Sequence, residues 1–209
     1  MSKVLPILFN TDMVLAILDG RKKVTRRCLK YPYTVHPNGY ITKPRGNENL
    51  CPYIPPYQLG DILYVRETWS TRQSNTCIGN TTGICPYDSC ETASGPCFDD
   101  EYIYKATDNL DSSVRKWHPS IHMPKKAARI FLRVTDARVE RLQDITIEGI
   151  RAEGLTSAAV HVGDMEIAIQ EWKILWDSTI KKTDLPLYGW YVNPWVWVIE
   201  FERCAKPCE

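Results

Sequence analysis

A lysine and a threonine three positions apart, Lys22 and Thr25, stand inside a dense run of positive charge. From Arg21 to Lys30 there are six basic residues and no acidic one. Two chemistries are open to such a run. In the first, Thr25 supplies a hydroxyl nucleophile. That hydroxyl is weak unless a base takes its proton. A lysine serves as the base only where burial or nearby cations bring its pKa toward neutrality. Arg21, Lys23, Arg26 and Arg27 supply cations that push Lys22 in that direction. In the second, the same cations bind nucleic-acid phosphates while bases stack on aromatic rings. Tyr64, Trp69, Tyr104 and Trp117 are candidate rings. Arg115, Lys116, Lys125, Lys126 and Arg129 would extend the groove. A solvated basic strand that carries Thr25 for its strand propensity would look the same in sequence.

Other reactive side chains are more dispersed. His118 and His122 flank Ser120 at the spacing of two metal ligands on one helical face, but Pro119 and Pro124 oppose a regular helix there. Ser120 and His122 suit a pocket lining better. No Gly-x-Ser-x-Gly turn surrounds Ser120 to make it a hydrolase nucleophile. Cys77, Cys85, Cys90 and Cys97 fall within 21 residues of largely polar chain. Four thiolates can hold a tetrahedral structural zinc and organise such a segment. A disulfide pair and free thiols are the alternatives, since no Cys-x-x-Cys knuckle is present. Cys28 reads as a small buried filler. Cys204 and Cys208 pair with each other or stay free.

Composition limits what can position these groups. At 209 residues, with 44% hydrophobic and 24% charged, the chain has the make-up of a globular protein with a sizeable core. A net charge of +1 excludes a global basic field, so any attraction to nucleic acid comes from local patches. No stretch approaches the roughly 20 apolar residues of a membrane span, and residues 1–6 lack the apolar region of a signal peptide. The expected location is the cytoplasm, where reduced thiols favour metal-bound or free states.

Patterning supplies the elements. Residues 4–9 read as a buried strand. Asn10, Thr11 and Asp12 can cap a helix with Val14, Leu15, Ile17 and Leu18 on one face and Gly20 as its stop. The basic run then enters an extended segment. Six prolines make residues 31–58 a loop, with a hairpin about Pro37-Asn38-Gly39. Gly60-Asp61 turns into a strand over 62–69. Residues 70–100 read as a loop insertion, 102–106 as a strand and 107–127 as irregular. Alternation predicts a strand over 129–138. Thr146 caps a short helix that ends at Glu153 and Gly154. Residues 164–180 form the clearest helix, with Met165, Ala168, Ile169, Trp172, Leu175 and Trp176 on one stripe. Residues 195–203 alternate as a half-buried strand. Strands and helices do not alternate regularly, which opposes a doubly wound parallel sheet. The pattern predicts an α+β fold, a small and mostly antiparallel barrel with helices packed on it.

Three stretches in order resemble the ASCH domain: residues 20–27 (Gly-Arg-Lys-x-x-Thr-x-Arg), residues 60–65 (Gly-Asp-x-Leu-x-Val) and the closing aromatic strand at 195–201. Leu8-Phe9-Asn10-Thr11, Pro119-Ser120-Ile121-His122-Met123-Pro124 and Asn193-Pro194-Trp195-Val196-Trp197-Val198 are similar to a bacteriophage and prophage subgroup of that family. The resemblance covers most of residues 4–203 and leaves out the insertion at 70–100. It implies a PUA-like pseudo-barrel, a fold found in RNA-binding and RNA-modifying proteins, as a single domain over residues 1–209. One branch of the family hydrolyses the amide of 4-acetylcytidine with a lysine, a threonine three residues later and a glutamate further on. Lys22 and Thr25 match the first two, and Glu153, in Ile150-Arg151-Ala152-Glu153-Gly154, is the match for the third. The resemblance therefore implies Thr25 as nucleophile, Lys22 as base and Glu153 as the acid that protonates the departing amine.

Contacts to RNA or a modified nucleoside are expected from Arg21, Lys23, Arg26, Arg27, Trp69, Ser120 and His122. No cofactor is required, and the metal in question is the structural zinc of the four cysteines. Two other classes stand beside the hydrolase. One is a non-enzymatic nucleic-acid-binding module. The other is a phage structural or host-interaction protein whose cysteine-rich insertion is the contact surface.

Overall fold

A computed structural model of the protein describes residues 2–36, 40–45, 49–72, 101–108 and 116–207. Expectations for Cys77, Cys85, Cys90, Cys97, Arg115 and Cys208, and for the hairpin tip at Pro37-Asn38-Gly39, lie outside these residues. The chain divides into two compact units. The first comprises Met1–Ile7, Ala16–Val65 and Arg129–Glu209, and the second Leu8–Leu15 and Arg66–Ala128.

The fold is α+β. In the first unit a five-stranded sheet runs in the order β1 (Val4–Leu8), β6 (Ile62–Arg66), β9 (Phe131–Arg141), β10 (Trp195–Cys204) and β2 (Val24–Cys28). β10 lies antiparallel between β9 and β2, and β6 is antiparallel to β9. The residues of β10 account for its inner position. Val196, Val198 and Ile199 are fully buried, and Trp197 nearly so. A continuous apolar run of this kind suits a strand covered on both faces. The expected half-buried alternation over 195–203 is therefore not found: Val196 to Ile199 are all buried, and past a bulge at Glu200 and Phe201 both Glu202 and Arg203 are exposed.

Helices begin where short polar side chains can accept the first free N–H groups. Asn10 Oδ1 accepts from Met13 N at 2.9 Å to start α1 (Thr11–Leu18). Thr146, Ser157 and Asp164 do the same for α2 (Ile147–Ala152), α3 (Ala158–Val162) and α4 (Met165–Thr179). Ala168, Trp172 and Trp176 of α4 pack in one cluster with Ile150, Val160, Val24 and Val198. Met165 belongs to the expected stripe but is exposed, so the buried face begins one turn later. α3 and α5 (Leu185–Tyr188) were not anticipated; each is too short to show a helical period.

Two strand expectations change. Residues 31–58, expected to be a loop, contain a three-stranded antiparallel sheet of β3 (Thr34–Val35), β4 (Ile41–Arg45) and β5 (Asn49–Pro52). Pro44 is tolerated in the middle strand because β3 pairs only with Ile41 and Thr42, so beyond them β4 is an edge. The single strand expected over 62–69 is two. β6 ends at Arg66, and in the second unit β7 (Trp69–Arg72) pairs antiparallel with β8 (Glu101–Tyr104). Between them Glu67 turns its N–H to Met123 Sδ instead of a strand partner. The second unit also holds two 3-10 turns, Ser120–His122 and Lys125–Ala127. Among the described residues no helix is long and apolar enough to cross a membrane.

Candidate functional site

β2 is the last strand of the sheet. Phe201 N donates to Lys23 O at 2.9 Å and Leu29 N donates to Trp195 O at 3.0 Å, so the odd-numbered residues here turn their backbone toward β10. The carbonyl of Val24 therefore points off the free edge. The loop from α1 into β2 is pinned beside that edge. Gly20 takes a left-handed φ of 73°. The N–H groups of Arg21 and Lys22 both donate to Ala16 O at 2.9 Å, and Lys23 N donates to Ala152 O at 2.8 Å. The side chain of Lys22 folds back along the edge. Its Nζ donates to Val24 O at 2.8 Å, to Glu153 O at 3.1 Å and to Glu153 Oε2 at 2.5 Å.

Glu153 reaches this position because α2 ends there and Gly154 lets the chain turn away. Gly154 has φ 101°. A Cβ on it would lie 2.9 Å from Ala16 Cβ and 3.2 Å from Lys22 Cβ. Only glycine fits both the backbone angle and the space. Arg21 Nη1 closes the junction by donating to Gly154 O at 2.6 Å. The second carboxylate oxygen of Glu153 accepts from Arg26 Nη1 at 3.1 Å, and Arg26 Nη2 lies 3.7 Å from Glu140. Lys22, Arg26 and Glu153 are all buried. Burial lowers the pKa of Lys22 from the usual lysine value; Glu153 opposes this by attraction and hydrogen bonding, and Arg27 and Arg26 add to the lowering.

A cavity of about 970 Å³ opens beside this cluster. Five carboxylates, those of Glu140, Asp144, Glu148, Glu200 and Glu202, line it against five basic groups, those of Lys22, Lys23, Arg26, Arg138 and Arg203. Arg138 is held by Asp136 at 2.6 Å, Glu140 at 2.6 Å and Glu200 at 2.5 Å. The lining is thus balanced in charge. It offers hydrogen bonds to a polar neutral molecule and little net attraction to a polyanion.

The expected site residues separate into groups. Lys22, Arg26 and Glu153 come together. Thr25 is buried. By strand alternation its side chain leaves β2 on the face opposite Val24 and Arg26, and it is not among the residues lining the cavity. Arg27 shares the Thr25 face, is half-buried and interacts electrostatically with Lys22 and Glu153. The Lys22–Glu153 pair therefore sits at the edge where both faces of β2 meet. Arg21 is half-buried and bound to Asp19 at 2.8 Å, while Lys23 is exposed. Trp69, Ser120 and His122 belong to the second unit. There the Trp69 ring packs 5.0 Å from His118 and 5.7 Å from Tyr102. Ser120 is half-buried and His122 exposed on their 3-10 turn.

Sequence reasoning passed over Glu140, Arg138 and Glu67. The first two carry a signal, Asp136-x-Arg138-x-Glu140, an alternation that puts three charges on one face of a strand. Glu67 is a fully buried carboxylate of the second unit; its only sequence mark is its position just past an apolar strand. Cys28 is half-buried, and burial pushes its thiol up to about 12, as befits a filler. Among the described residues no group of three or more His, Cys, Asp and Glu side chains is arranged to hold a metal.

No protein-family model matches the chain, and no curated protein matches it. Among solved structures it is similar to the protein EF3133 of Enterococcus faecalis V583, a crystal structure described under the family model DUF984. The identity is 11%, over 98% of this chain and 77% of that one, with a TM-score of 0.39. A likeness that slight carries neither fold nor function across.

Proposed function

We propose that this chain is a PUA-like ASCH protein of the bacteriophage type that binds a modified nucleoside and hydrolyses its amide, with 4-acetylcytidine as the model substrate. The observation that carries this reading is the buried Lys22–Glu153 pair, 2.5 Å apart at the strand edge where the Thr25 face of β2 meets the face that lines the cavity. A lysine removed from water loses part of its preference for the charged form. In its neutral form Lys22 can accept a proton, and Glu153, in hydrogen-bond contact with it, can relay that proton onward. Those are the base and acid steps that amide cleavage needs.

The steps balance as follows. Because Thr25 lies on the face of β2 away from the cavity, the acetyl group has to reach that face past the strand edge; there Thr25 Oγ1 forms a bond to the acetyl carbon as its proton moves to Lys22. The bond from that carbon to the exocyclic nitrogen breaks, and the nitrogen takes the same proton, relayed from Lys22 through Glu153. Water then releases acetate from Thr25. Arg26 and Arg27, on opposite faces of β2, hold Glu153 and bias Lys22. The balanced lining supports a neutral nucleoside as ligand more than an RNA backbone.

Incubation with 4-acetylcytidine, followed by chromatography of cytidine and acetate, tests the reading. Lys22→Ala and Thr25→Ala should each lower kcat/KM by about 10²–10⁴. Turnover that survives both changes would sink the residue assignment. A wild-type protein with no turnover would leave the non-enzymatic binding class ahead. The zinc proposal for Cys77, Cys85, Cys90 and Cys97 has its own test: about one equivalent of zinc after purification without added metal supports it, and a trace returns the thiols to the disulfide or free forms.

A further inference from the structure

A second groove in the first unit has the chemistry that the Lys22 cavity lacks. It lies between the β3–β4–β5 sheet and a face of β9 and β10, with a volume of about 820 Å³. Tyr40, Tyr53, Trp195 and Trp197 line it, and no acidic side chain is among the described residues that do. Tyr40 is 48% exposed and Ile54 beside it 59% exposed, so apolar surface here is open to solvent. The Tyr53 and Trp197 rings are 6.0 Å apart. Two cations stand over the aromatic walls: Arg141 is 4.4 Å from the Trp195 ring centre, and Lys43 Nζ is 5.2 Å from that of Tyr53. Arg141 also donates to Asn193 O at 2.8 Å and keeps its charge; aromatic faces with positive charge next to them, and no carboxylate among the lining side chains, suit a strand of unpaired bases.

We propose that this groove binds single-stranded nucleic acid, with bases stacked on Tyr40, Tyr53 and Trp195 and phosphates met by Lys43 and Arg141. A proline-rich peptide also fits aromatic grooves, but it gains nothing from cations at the rim, so the charge favours nucleic acid. The groove and the Lys22 cavity share Arg138 as a lining residue. The inference deepens the proposed function, on whose nucleoside reading it rests for this last step: the natural substrate is a modified base carried in RNA, and the groove holds the flanking strand.

Titration of a fluorescein-labelled oligouridine of about ten nucleotides with the full chain, read by anisotropy and by quenching of tryptophan emission, tests it. Saturable binding with quenching is expected, weakened about tenfold in the Tyr40→Ala, Tyr53→Leu variant. Tyr40→Ala alone replaces an exposed side chain and should weaken binding several-fold with Tm unchanged, so a misfolded double variant does not stall the test. Turnover of free 4-acetylcytidine, measured in parallel, reads the Lys22 site separately. Oligouridine that does not bind, or binds Tyr40→Ala as tightly as the wild type, overturns the inference whatever the turnover. A proline-rich decapeptide that binds the groove where oligouridine does not also overturns it.

Discussion

Lys22 is a charge taken out of water and answered by one carboxylate. Removing one partner of such a pair is far more costly than its net contribution, because the other is left buried and unpaired. Glu153→Gln should therefore lower stability by about 3–5 kcal/mol in urea unfolding. Adding Lys22→Met to it should restore part of that loss, since the stranded charge goes too. The pH dependence follows from the lowered pKa. The folded value of Lys22 lies below the unfolded one, near the usual 10.5. Between those values the unfolded chain holds more protons, so stability rises with pH across that window and levels off above it. Lys22→Met should remove that rise, read as the urea midpoint against pH. Cys28 gives the opposite kind of check. With its thiol pushed up to about 12, little thiolate exists at neutral pH. Alkylation at pH 8, mapped by mass spectrometry, should label Cys28 far more slowly in the native protein than in urea.

At the scale of elements, the junction of α2 with the loop before β2 sets the site. Gly154→Ala adds a Cβ 2.9 Å from Ala16 Cβ at a left-handed backbone angle. A loss of about 1–3 kcal/mol is expected, with a lower Tm and weaker 4-acetylcytidine turnover as Lys22 is pushed aside. Asp164→Ala removes the cap of α4 and should lower stability by about 1 kcal/mol, measured by chemical unfolding, with turnover unchanged. These same junctions were the legible part of the sequence. Thr146, Glu153 and Gly154 spell out a helix start and stop, and α4 declares itself through Trp172 and Trp176. The β3–β4–β5 sheet was hidden by prolines, which mark turns and edges alike. β10 looked half-buried because its glutamates suggest alternation, whereas its first residues are covered on both sides. Lys22 was legible from the basic run around it, Glu153 only through the family resemblance. The fold of Thr25 to the far side of β2 depends on which backbone groups face β10, and nothing in residue type encodes that.

At the scale of the whole molecule, the second unit interrupts the first twice in sequence. Within it, Arg72 lies opposite Glu101 in the β7–β8 ladder. A short Asn-Gly turn can therefore replace residues 73–100 without moving either strand. That variant should keep its Tm within a few degrees and keep 4-acetylcytidine turnover, while any bound zinc disappears from elemental analysis. A large fall in Tm would mean that the cysteine-rich segment supports the fold and is no simple insertion. The placement of Lys22 has one more effect at this scale. β2 ends the sheet with a carbonyl aimed outward at Val24, the kind of open edge on which a second chain can add a strand. Lys22 plugs that carbonyl with a cation, and Glu153 stands behind it. The pair thus occupies the position that an added strand would have to take. Lys22→Ala should uncover the edge and give light scattering that grows with protein concentration, even where the variant stays folded.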